Sequence, residues 1–200
     1  AEASRAAFDA GACVLFGHCE EDLATPYQLF AEALGQYVTN ASEAQLVAHV
    51  AEYGSELARL VPALASRIPD LPPSKTTDSE TERFLLFAAV VGLLDMASQH
   101  QPVVLVLDDL QWADKASLLV LRHLAAAAPT MRVLVLGTYR DSELSQAHPL
   151  LDTLAALGMP KEIVMRHRTT QFLHLFSSDD YAAGYYSYLW SDTLAADAWE

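Results

Sequence analysis

The chain has 200 residues, 52% of them apolar and 19% charged, a balance that supports a buried core and excludes a disordered segment. Its 26 acidic side chains against 12 basic ones leave a net charge of -14, which argues against direct nucleic-acid contact and against an anionic membrane surface. The longest uncharged apolar stretch near the middle, Phe84 to Leu94, falls well short of the ~20 residues that a membrane span requires.

The N-terminus, AEASRAAFDAG, has no apolar core of a signal peptide. The absence of an initiator Met leads us to expect that the chain begins inside a longer protein. Cys13 and Cys19 are too few for a four-ligand zinc site, and His18 between them reads as coincidence. Both are expected as reduced thiols, which implies a cytoplasmic protein.

Ala12 to Phe16 (ACVLF) is a short apolar run closed by Gly17 and predicts a buried strand. Glu20 to Asp22 is an acidic loop. Pro26 then opens a helix in which Leu29, Phe30, Ala33, Leu34 and Tyr37 fall at helical spacing. Amphipathic helices are predicted around Glu43–Tyr53 and Glu56–Arg67. Ile68 to Ser79, with three prolines, reads as a loop, and Glu80 to Ser98 as a long apolar helix.

Val103 to Leu107 (VVLVL) is continuously apolar, bounded by Pro102 and Asp108, and suits a strand buried on both faces of a parallel sheet. Asp114 is placed to N-cap a helix from Lys115 to about Ala127. Met131 to Leu136, ended by Gly137, is the third strand, and Pro149 to Leu157 is helical. Strands alternating with helices predict an α/β fold with a parallel sheet.

The strongest chemical signal is VVLVLDDLQWAD, Val103 to Asp114. It delivers two carboxylates, Asp108 and Asp109, at the C-terminal end of a buried strand, the edge at which open parallel sheets bind ligands. Carboxylates there can hold Mg²⁺ beside a nucleotide phosphate and orient an attacking water. The alternative is that they only cap the turn into the next helix.

VLFGHCEEDLATPYQLFAEAL, VVLVLDDLQWADKASLLVLRHL and VLVLGTYRDSELSQAHPL resemble the ATPase domain of large bacterial regulators. These are the AAA-type, STAND-like ATPases found beside LuxR-type DNA-binding regions and some cyclases. The resemblance covers about residues 6–155. It implies a P-loop NTPase-type sheet flanked by helices, with Asp108 as the Walker B magnesium residue and Asp109 as its acidic, catalytic neighbour. Thr138 and Arg140 then match the sensor of the γ-phosphate, and Mg-ATP is the implied ligand. The alternative for Arg140 is an ion pair with Asp141 or Glu143. The family's G-x-x-x-x-G-K-[ST] loop is not in the sequence, and in the family it lies just before the segment where this chain begins. Its N–H cradle and lysine are what grip the β/γ-phosphates, so nucleotide affinity is expected to be weak. The resembled fold also has a further strand beside 131–137, so this strand is expected to have an unpaired edge.

The remaining stretch, Leu157 to Glu200, carries F-x-H-x-F and then Y-x-x-G-Y-Y-S-Y-x-W. It resembles the C-terminal part of thimet-oligopeptidase-type and dipeptidyl-carboxypeptidase-type zinc peptidases. The resemblance implies that His174 and Tyr181 bind a peptide backbone and that Tyr188, with Tyr185 alongside, donates its phenol to the tetrahedral oxyanion, a role that lowers a barrier by meeting developing charge. Read from the residues, a helix would put Tyr181, Tyr185 and Tyr188 on one face, which is also how core aromatics are spaced. That family's His-Glu-x-x-His is missing, since none of the seven histidines precedes a Glu, so no zinc ligands are expected here. The expected organisation is an incomplete ATPase-like domain over 1–156 and a peptidase-like segment over 157–200. The functional readings are a nucleotide-binding regulatory module, inactive alone, a zinc-peptidase fragment acting on short peptides, and a non-catalytic chimera or interaction module.

Overall fold

The computed structural model describes residues 2–21, 25–68, 71 and 78–158. The chain divides at residue 160 into two units, and every described residue lies in the first. In chain order the elements are α1 (Glu2–Asp9), β1 (Cys13–His18), α2 (Gln28–Asn40), α3 (Glu43–Leu60), α4 (Ala63–Arg67), α5 (Ser79–His100), β2 (Val103–Asp108), α6 (Lys115–Ala127), β3 (Val133–Gly137) and α7 (Pro149–Ala156). A single 3-10 turn, Leu110–Trp112, links β2 to α6.

The three strands form one parallel sheet in the order β1-β2-β3. The expected pairing of 103–108 with the strand at 131–137 is present, with Leu105 between Leu15 and Val135. Val103 to Leu107 are all buried, so both faces of the central strand are covered. β3 is an outer strand with Leu134 exposed, which matches the expected edge among the described residues. Leu29, Phe30, Ala33 and Leu34 bury the α2 face against β1, and Leu93, Leu94, Leu121 and Leu124 bring α5 and α6 into the same core.

Two expectations are corrected. β1 does not close at Gly17 but runs through it to His18. The reason is steric. A Cβ at residue 17 would lie 2.0 Å from the Leu29 carbonyl oxygen, so its absence lets the α2 backbone come against the strand. The expected break between Tyr53 and Glu56 is likewise only a kink. α3 is continuous through Tyr53, whose backbone (φ -129°, ψ 17°) is non-helical. The helix ends instead before Pro62, which has no N–H to continue the ladder. Of the predicted loop 68–79, residues 69–70 and 72–77 lie outside the described residues, as does Asp22 of the acidic loop.

The Gly17 contact makes a testable pair. Gly17→Ala is expected to destabilise the chain by about 1–3 kcal/mol, the ordinary cost of overpacking. Gly35→Ala, within α2 itself and with its nearest neighbour, Val61, 3.9 Å away, should be neutral or stabilising, because Ala is the better helix former. Urea denaturation of both variants decides this, and equal midpoints would contradict the close approach.

Candidate functional site

The apolar run of β2 ends where its first charge appears, at Asp108, and Asp109 follows in the left-handed backbone region at φ 58°. Few non-glycine residues adopt that conformation, Asp and Asn most readily. Four hydrogen bonds hold the strand end. The Thr138 hydroxyl donates to Asp108 Oδ1, and the Asp109 N–H donates to Thr138 Oγ1 at 3.2 Å. The Thr138 N–H reaches the Leu107 carbonyl at 2.9 Å, and the Leu110 N–H reaches the Thr138 carbonyl at 2.9 Å. Thr138, one residue beyond β3, thus knits the two neighbouring strand ends together.

The Asp109 carboxylate divides its contacts. Its Oδ1 accepts from Gln111 Nε2 at 2.9 Å and lies 3.5 Å from Arg140 Nε. Its Oδ2 faces His18 Nδ1 at 3.9 Å. Gln111 is buried and uses its other end to accept the Arg140 N–H at 3.0 Å. The Arg140 guanidinium lies 5.0 Å over the Trp112 ring and donates from Nη1 to Glu143 at 3.0 Å. The predicted residues Asp108, Asp109, Thr138 and Arg140 are therefore brought together. The alternative partner Glu143 is engaged at the same time, so Arg140 faces both sides.

Asp114 caps α6 as expected, its Oδ1 accepting from Ala116 N at 2.8 Å and Ser117 N at 3.0 Å. It also does something the sequence did not reveal. Its Oδ2 accepts from the Ser117 hydroxyl and from the Tyr27 N–H at 3.2 Å. Tyr27 stands at φ 64° in front of α2 with no side-chain cap of its own, so Asp114 anchors a strained backbone from another connection.

His18 is the residue the sequence reading passed over. Placed between two cysteines, it drew attention only as a zinc ligand. The strand register sets it opposite Asp108 instead, and its ring, Asp108 and Asp109 each offer a ligand atom within 4.8 Å of the others. The signal available in sequence was that β1 and β2 both end in a metal-ligating side chain. Cys13 and Cys19 are free thiols. His174, Tyr181, Tyr185 and Tyr188 lie outside the described residues.

A parallel sheet whose central strand delivers paired carboxylates to its C-terminal edge is the architecture of a nucleotide-binding α/β domain. Residues 1–136 match the AAA ATPase domain family, and the chain belongs to that family. Residues 130–200 match Peptidase family M3. The two matches meet at residues 130–136, so Thr138 and Arg140 fall in the second span even though they contact Asp108 and Asp109 of the first. Among curated proteins, Oligopeptidase A of Escherichia coli (strain K12) is 37% identical over 87 residues. Oligopeptidase A of Salmonella typhimurium (strain LT2) is 35% identical over 88 residues. Each alignment takes in 42% of this chain and 12% of the relative. The chain thus spans about an eighth of the length of these relatives. No solved structure matches it significantly.

Cys19 gives the site a measurable electrostatic property. Burial pushes its thiol up to about 12, and the carboxylates of Asp114, Asp109, Asp108 and Glu32 push the same way. The folded value lies above the ordinary 9.0, so the unfolded chain loses this proton first as pH rises. The stabilisation is full below about pH 9 and is lost between there and about 12. At pH 8 a thiol reagent should therefore modify Cys19 only on denaturation, since the thiolate is the nucleophile. The stability advantage of the wild type over Cys19→Ala should shrink from about pH 9 upward. A difference that grows with pH would contradict this environment.

Proposed function

We propose that residues 1–156 act as a nucleotide-binding module of the AAA type, an incomplete ATPase-type regulatory unit, carried with a metallopeptidase-like segment over 157–200. The observation that supports it best is the Thr138–Asp108 hydrogen bond, with Asp109 and Arg140 alongside at the strand ends. The donor set fits magnesium, because Asp108, Asp109 and Thr138 offer oxygens, the atoms a hard cation takes. Magnesium, when bound there, would neutralise charge on phosphate oxygens.

In this reading Asp108 is the magnesium residue and the Thr138 hydroxyl fixes its rotamer. Asp109 orients the attacking water and accepts its proton. Arg140 presents a planar fork to the terminal phosphate, held over Trp112 and tethered by Glu143. Binding to the 200-residue chain is weak, because no G-x-x-x-x-G-K-[ST] supplies N–H groups to the phosphates. The module lies on the regulatory, STAND-like side of the family and hydrolyses little or nothing by itself.

The match of residues 130–200 to Peptidase family M3 favours a second reading, a fragment of a zinc peptidase. There His174 and Tyr181 hold a peptide, and Tyr185 and Tyr188 face its carbonyl. The sequence carries no His-Glu-x-x-His, so zinc chemistry is not assigned to this chain. A third reading is a chimera or interaction module without catalysis.

Calorimetry is expected to give a Mg-ATP dissociation constant of about 1 mM or weaker, near -4 kcal/mol, with binding lost in Asp108→Ala. Micromolar affinity that survives Asp108→Ala would overturn both the weakness and the site. Short peptides with added zinc should not be cleaved. Chelator-sensitive cleavage that disappears in Tyr188→Phe and His174→Ala would decide for the peptidase reading.

A further inference from the structure

β1 and β2 end side by side, and their register pairs His18 with Asp108. A ring nitrogen of His18, an oxygen of Asp108 and an oxygen of Asp109 all lie within 4.8 Å of one another. Thr138 takes Asp108 Oδ1, while Gln111 and Arg140 take Asp109 Oδ1. Asp109 Oδ2 is left toward His18 at 3.9 Å, too far for a direct hydrogen bond. A nitrogen and an oxygen at that separation suit an ion bound between them, with modest closure. The His18 backbone is itself fixed, its N–H donating to Glu32 Oε2 at 2.9 Å, and the ring is about a third exposed, so an ion can enter from solvent.

We propose that His18, Asp108 and Asp109 form a mixed nitrogen and oxygen site for a divalent transition-metal ion of the Mn²⁺ class, which His18 selects over Mg²⁺. The proposal rests on Asp108 being the metal residue of the nucleotide reading, and it adds a ligand that this reading does not contain. The chemistry follows from the donors. Magnesium prefers oxygen in a near-ideal octahedron and keeps its waters, whereas first-row transition ions, of which Mn²⁺ binds such donors least tightly, accept an imidazole together with carboxylates. Cys19, next along the chain, is not part of this cluster.

The test uses the full 200-residue chain and the metals alone. Electron paramagnetic resonance counts free Mn²⁺ during titration, and Mg²⁺ is measured by competition. We expect Mn²⁺ to bind at least tenfold tighter than Mg²⁺. His18→Gln should weaken Mn²⁺ about tenfold or more and leave Mg²⁺ within twofold, whereas Asp108→Asn should weaken both. An unchanged Mn²⁺/Mg²⁺ ratio in His18→Gln, with both ions lost in Asp108→Asn, overturns the His18 ligand and leaves the magnesium reading standing. Insensitivity of both ions to Asp108→Asn overturns the two together. As an independent readout in the wild-type chain, substoichiometric Mn²⁺ should broaden the His18 ring ¹⁵N signals first, assigned by their loss in His18→Gln. Broadening confined to other histidines overturns the proposal even if His18→Gln is poorly folded.

Discussion

The central strand imposes the constraint on which the rest depends. Five consecutive apolar residues, Val103 to Leu107, are shielded on both faces. No charge can be placed along that length without the cost of burying it unpaired. The first permissible position for a carboxylate is the strand's end, where Asp108 stands. Helices on either face, the flanking strands β1 and β3, and the polar cluster at one edge all follow from that single buried segment. What the edge binds is then a question of which side chains the neighbouring strands deliver beside Asp108.

Two of the connections leaving these strands contain backbone that is not relaxed. Asp109 and Tyr27 are the non-glycine residues with positive φ among the described residues. Both are held by hydrogen bonds that their N–H groups donate, Asp109 to Thr138 Oγ1 and Tyr27 to Asp114 Oδ2. Strain of this kind persists only where the surroundings over-determine it. Asp114 is the more economical device, since one carboxylate caps α6 and pins the entry to α2. The connection after β1 and the connection after β2 are thereby tied to each other close to the site.

Much of this was legible in the sequence, and for identifiable reasons. Val103 to Leu107 has no polar residue to make it ambiguous. The caps of α6 and the spacing of Leu29, Phe30, Ala33 and Leu34 are local signals. Asp108 and Asp109 could be named because they follow a recognisable apolar run, whereas Thr138 and Arg140 were reached only through the resemblance to the ATPase family. Gly17 misled, because a glycine marks a turn or a close approach with equal force, and only the position of Leu29 distinguishes them. The α3 kink at Tyr53 and the second role of Asp114 depend on tertiary contacts that no local pattern encodes. His18 was hidden for a similar reason. Its significance comes from register, and register belongs to two strands rather than to either sequence.

The pairing of β1 with β2 has a further consequence in time. Cys13 hydrogen-bonds alongside Val103, and four described helices lie between these strands in the chain. During synthesis β1 cannot pair with β2 until the residues beyond α5 have been made. Non-local parallel pairing of this kind closes slowly. The helices α2 to α5 are local structure and can form before that pairing closes. β1 thus remains an unpaired apolar strand, prone to aggregation, while α2 to α5 are being made. A chaperone that binds extended apolar segments would find its best opportunity there, before the carboxylates of the site have been translated.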